Sequence, residues 1–111
     1  MEKKDLKPAG VFKYFEELCQ VPRPSKKEEK MIAYLKAFGA KHNLETKVDE
    51  AGNVLIKKPA TPGKENLQTV VLQSHIDMVC EKNNDVQHDF LTDPIETEID
   101  GEWLKAKGTT L

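Results

Sequence analysis

Three consecutive apolar residues, Val70-Val71-Leu72, within LQTVVLQS at 67–74, constrain the fold more than any other feature of this sequence. Two of the three are β-branched, which stiffens their side chains and favours an extended backbone. A strand with one wet face alternates apolar with polar residues, and this run does not. It therefore predicts a strand covered on both faces, which requires a layer of structure on each side. Three and five residues beyond Leu72 stand His75 and Asp77, so the strand is expected to end in a pair of titratable groups.

The elements before that run supply only part of the cover. Val11, Phe12, Phe15, Leu18 and Cys19 recur at helical spacing, so a helix is expected from Pro8 to Gln20, with proline suited to the first turn. VPRP at 21–24 ends it, because a residue preceding proline is pushed out of the helical region. Ser25 and Glu28 have the spacing of a capping box, which predicts a second helix from about Lys26 to His42 burying Met31, Ile32, Leu35 and Phe38. Asn43 is expected as a left-handed stop.

From Leu44 the period falls to two. LETKV and NVLIKK read as strands around the turn-rich DEAG, and PATPGKEN reads as an exposed loop. Cys80 to Pro94 is a long polar segment. ETEI and EWLKA flank Asp100-Gly101, a strong short hairpin signal, with Trp103 expected to cover one face of that hairpin. The order helix, helix, strand, strand, strand, hairpin is an α/β arrangement whose central strand lacks enough neighbours. The 111 residues thus read as part of a larger α/β domain, with no internal boundary.

Charge narrows the partners. With 17 basic and 19 acidic residues the formal net charge is -2, and no long block of one sign stands out, so nucleic acid is not expected as a partner. No segment approaches the roughly 20 apolar residues that would span a bilayer, and MEKKDLKPAG does not resemble a signal peptide. Cys19 and Cys80 belong to no CxxC pattern and are expected as free thiols in a reducing cytoplasm. A small molecule or another protein is the expected partner.

In an open α/β sheet, ligands collect beyond the carboxyl ends of the strands. Residues two apart on an extended chain project to the same side, so His75 and Asp77 can face one cleft. There an imidazole nitrogen can bind a divalent metal while the carboxylate orients the ring. The competing reading is a strand-end histidine bonded to a loop carbonyl beside a solvated aspartate. Cys80 with His75 could instead form a nucleophile and base pair, although no oxyanion-hole pattern accompanies it. His88-Asp89 reads as a locally bonded pair in the polar loop. His42, near a helix C-terminus, is favoured there by the dipole when charged.

SHIDMVCEKN followed by HDFLTDPIETEIDGEWLKAKGTTL, with VPRPSKKEE and DEAGNVLIKK upstream, resembles the aminoacyl-histidine dipeptidases, cytosolic Xaa-His dipeptidases of the co-catalytic zinc exopeptidase superfamily. The resemblance runs from about Lys7 to Leu111 and implies the N-terminal portion of a phosphorylase/hydrolase-like catalytic domain, interrupted in the family by a smaller lid or dimerisation domain. It implies two zinc ions, with cobalt or manganese as alternatives, that activate a bridging water and polarise the scissile carbonyl. It gives His75 as a metal ligand and Asp77 as the active-site residue that orients it. The implied substrates are dipeptides with a C-terminal histidine, the implied location is the cytoplasm, and a homodimer would form through a domain outside these residues.

The family's metal-bridging aspartate, glutamate base, other acidic ligands and second histidine have no counterpart among the 111 residues. The expectation is accordingly a dipeptidase piece that is silent by itself. Two alternatives stand beside it: a non-catalytic interaction or regulatory module with a peptidase-like fold, and a cysteine hydrolase using Cys80.

Overall fold

The structure, a computed structural model, describes residues 1–111. A short 3-10 helix at Lys3–Asp5, two α-helices and two antiparallel hairpins account for its regular structure. The chain forms two compact units, residues 1–31 with 77–111, and residues 32–76. No helix is long and apolar enough to cross a membrane.

In the first unit, helix α1 spans Ala9–Cys19 with Pro8 at its N-cap, as the apolar spacing requires. Cys19 is buried at its end, and the Cys19 carbonyl accepts the N–H of Ile95 at 2.8 Å. That bond satisfies one of the carbonyls a helix leaves orphaned at its C-terminus. Ile95 and Met31 are the other buried apolar residues. Buried Thr97 donates to Glu16 Oε1 at 2.5 Å and accepts from Lys3 Nζ at 3.0 Å, so the polar group inside carries its partners with it. Strands β3 (Thr97–Asp100) and β4 (Trp103–Ala106) pair antiparallel. A bridge between Lys82 and Thr109, reinforced by Thr110 N–H to the Glu81 carbonyl at 2.8 Å, ties the polar segment to the residues after β4.

Helix α2 runs Glu29–Lys41, and its end is built as the asparagine suggests. Asn43 adopts φ 55°; its N–H reaches the Ala40 carbonyl at 3.1 Å, and the Leu44 N–H reaches the Gly39 carbonyl at 2.9 Å. This pair of bonds is a Schellman motif. The His42 ring packs at a tilt against Phe38 with centroids 4.4 Å apart. Strands β1 (Glu45–Val48) and β2 (Val54–Lys57) complete the regular part of the second unit as a hairpin. Its turn is held by Asp49, whose carboxylate accepts both the backbone N–H (2.9 Å) and the side-chain amide (2.8 Å) of Asn53.

Four expectations need correction. Residues 67–74 form no strand, and Val70, Val71 and Leu72 are 79%, 77% and 93% exposed. An extended segment becomes a strand only by hydrogen bonding to a neighbour, and none of the four strands pairs with this one. The second helix starts at Glu29 rather than Lys26, because Lys26 sits at φ 69° and the capping box does not form. Glu28 Oε1 accepts from the Lys26 N–H at 2.7 Å instead, and the Ser25 hydroxyl is used elsewhere. The β3–β4 register pairs Asp100 with Trp103, so the two turn residues are Gly101-Glu102, with Gly101 at φ 62°. Trp103 is 73% exposed and covers little of its hairpin.

Candidate active-site segment

The VPRPS stretch that ends α1 builds the best-organised feature near the H-x-D residues. Pro22 and Pro24 fix two backbone torsions in a five-residue stretch, leaving little freedom to the loop. Arg23 Nη1 donates to the carbonyls of Leu18 at 2.7 Å and Val21 at 3.2 Å, which fastens the loop to the end of α1. Backbone bonds then join the loop to the chain around Asp77. The Met78 N–H reaches the Arg23 carbonyl at 3.0 Å, and the Ser25 N–H reaches the Met78 carbonyl at 3.3 Å. Pro24 and Met78 form a parallel bridge. Finally, the Ser25 hydroxyl donates to Asp77 Oδ2.

Asp77 is half-buried on this scaffold, whereas His75 is exposed to solvent. The chain passes from the second unit to the first between Ile76 and Asp77, so the two residues belong to different units. No group of three or more histidine, cysteine, aspartate or glutamate side chains is gathered so as to hold a metal ion. A structural or catalytic zinc site ordinarily takes three or four protein ligands. One imidazole and one carboxylate that already accepts a serine hydroxyl are too few, so these residues alone do not fit a zinc centre.

The other candidates have simpler explanations. Both cysteines are free. Cys80 is half-buried, burial pushes its thiol upward, and its S–H points to the Met78 carbonyl at 3.7 Å. A nucleophilic cysteine needs the opposite shift, toward thiolate, so the direction of this one counts against the hydrolase reading. Cys19 is buried in the core and pushed up by burial and by the nearby Glu16 charge. Asp89 organises a turn: its carboxylate accepts the Leu91 N–H at 2.9 Å, and its own N–H bonds Asp93 at 2.8 Å. His88 packs its ring against Phe90 at 4.5 Å, with Nε2 buried and unpartnered.

Sequence reasoning missed Ser25, which it assigned to a helix cap. The signal that could have found it is VPRPS itself, since two prolines around an arginine hold a chain extended where a cap residue would lead into a helix.

No family model matches the chain. It is 47% identical over 110 residues, 99% of its length, to the cytosol non-specific dipeptidase of Escherichia coli K12. It also matches the crystal structure of the aminoacylhistidine dipeptidase from Vibrio alginolyticus along its whole length, with a TM-score of 0.95 and 50% identity. The chain spans 23% of the length of each of these two relatives. Identity near one half along almost every residue, accompanied by a nearly superposable backbone, makes the chain similar to about a quarter of each of these two dipeptidases.

Proposed function

We propose that these residues serve a metal-dependent dipeptidase, to which they contribute the H-x-D segment of the active site. The observation that carries this reading is the backbone match, at 50% identity, to a solved aminoacylhistidine dipeptidase over the full 111 residues. His75 is one ligand of a divalent-metal site whose other ligands lie outside these residues, and Asp77 orients its imidazole. Exposure of His75 leaves its ring accessible, and a carboxylate held in place by hydrogen bonds suits an orienting role. Since the ligand set here is incomplete, no catalytic step is assigned to the metal.

The substrate is a dipeptide. A C-terminal histidine is the narrow form of the proposal, and the broad form follows the Escherichia coli relative, which is described as non-specific. The same relative's description favours the cytosol as the site of action. Assembly as a homodimer, through residues other than these, belongs to the same proposal.

The test uses the complete polypeptide that carries these residues, purified beside the 111-residue chain. The complete protein should release histidine from Xaa-His dipeptides in a metal-dependent way, while the 111-residue chain should not. His75→Ala should lower the metal content found by elemental analysis, and Asp77→Ala should reduce turnover far more than metal content. Wild-type metal content in the histidine variant would remove the ligand assignment. Absence of any peptidase activity in the complete protein would favour a non-catalytic module instead.

A further inference from the structure

We infer that Ser25 is a positioning residue for the dipeptidase reaction, acting through the Asp77 carboxylate. The inference rests on the reading of His75 and Asp77 given above and extends it to a residue outside the H-x-D motif. Three observations converge on it. The Ser25 hydroxyl donates to Asp77 Oδ2. The backbone on both sides of that bond is fixed as well, through Met78 N–H to Arg23 and Ser25 N–H to Met78 at 3.0 and 3.3 Å. The loop that presents the hydroxyl is tied in turn to α1 by the Arg23 guanidinium.

The turn that follows has a cost that a mere connector would not carry. The Lys27 N–H bonds the Pro24 carbonyl at 2.8 Å across Ser25 and Lys26, and Lys26 takes φ 69° to close it. Left-handed backbone is unfavourable for a residue that carries a side chain. A helical Lys26 would avoid that cost and let Ser25 cap α2, the use its sequence position favours. The chain instead directs the hydroxyl to the carboxylate.

What the bond does follows from geometry. A carboxylate rotates readily about its Cβ–Cγ bond, because that torsion is broad. With Oδ2 held, rotation sacrifices the hydrogen bond, so the direction of Oδ1 is set too. An acid that orients an imidazole must keep one oxygen in a fixed direction, and partners of this kind typically change metal affinity or activity by about 10–100-fold when the orienting group itself is lost. Ser25 stands one step further out. Its removal should therefore cost less, about 3–10-fold by the same scale.

The experiment is a set of variants in the complete, metal-loaded polypeptide. Ser25→Ala should lower kcat by about 3–10-fold, with KM for the dipeptide within about twofold of wild type, as expected for a group that does not touch substrate. Ser25→Thr, which keeps a hydroxyl, should restore most of the rate. Ser25→Val, which has the shape of threonine without the hydroxyl, should not, and this isosteric pair decides the matter even if the alanine variant folds poorly. In an Asp77→Ala background, Ser25→Ala should add nothing, because its route to the chemistry is already gone. A wild-type kcat in Ser25→Val, equal losses in the threonine and valine variants, or fully additive losses with Asp77→Ala would each overturn the inference. If His75→Ala and Asp77→Ala are themselves silent, the site reading falls along with it; if those two are impaired while Ser25→Val is not, the inference alone falls.

Discussion

Gly39 in α2 gives the sharpest test of how the second unit is packed. In an exposed helix interior, replacing glycine by alanine stabilises by about 1 kcal/mol, since glycine surrenders more backbone freedom on folding. At position 39 the space is already taken. A methyl group there would lie 1.8 Å from Thr46 Oγ1, 3.0 Å from Thr46 Cβ and 3.3 Å from Thr46 Cγ2. Rotating Thr46 does not fully clear the site, because the 3.0 Å contact to its Cβ remains whichever substituent faces the helix. Rotation would also give up the bond from Thr46 Oγ1 to the Leu44 carbonyl at 3.1 Å. Overpacking of this kind costs about 1–3 kcal/mol, and a lost hydrogen bond adds about 1 kcal/mol. The clash outweighs the helix gain, so Gly39→Ala should destabilise by about 1–2 kcal/mol. Urea denaturation followed by far-ultraviolet circular dichroism should show the midpoint falling by about 0.5–1 M. Thr46→Ala removes the oxygen and the methyl, so the double variant should recover much of the loss, with a favourable coupling of about 1 kcal/mol. A Gly39→Ala protein more stable than wild type, or strictly additive effects in the double variant, would show that α2 and β1 do not meet as described.

Three further outcomes are expected. Gly101→Ala should destabilise the β3–β4 hairpin by about 1–2 kcal/mol through its φ of 62° alone, because the space around the new methyl is open; amide exchange of β3 and β4 would report it. Asp49 is held below the usual aspartate range, first by the side-chain amide of Asn53 and then by its backbone N–H. The β1–β2 turn therefore keeps its full stabilisation above that range and loses it as pH falls through the lowered value, while Asp49→Asn should flatten the acid limb of a stability profile. Cys80→Ser in the complete polypeptide should leave peptidase turnover unchanged, and a collapse of activity would revive the nucleophile reading.

Local chemistry was largely legible in the sequence. Asn43 and the DEAG turn act through torsional limits and short-range hydrogen bonds, which depend on a few neighbours, and the structure places both as expected, while Pro8 stands one residue before the helix as its extended N-cap rather than in the first turn. Where a residue had two local uses, the sequence could not choose. Ser25 suits a helix cap and a carboxylate partner equally, and the choice was made by Asp77, 52 residues away. Gly101 shows a smaller version of the problem: a glycine accepts either turn position, so the register shifted by one residue without violating any local rule. The run at Val70–Leu72 failed for a different reason. Its apolar pattern states what would satisfy it, a neighbour on each side, but a pattern cannot supply the neighbours. The candidate site was legible as residue types, through His75 and Asp77, and not as a bonding network.

That open run bears on how the chain behaves in water. From Leu67 to Ile76 there is no charge and no proline, and the β-branched centre stands in water. Segments of this composition stack with copies of themselves into sheets when left uncovered. Lys64 and Glu65 on one side and Asp77 on the other are the nearest charges available to discourage it. The same ten residues that carry His75 are thus the stretch of this chain most prone to self-association while it stands uncovered.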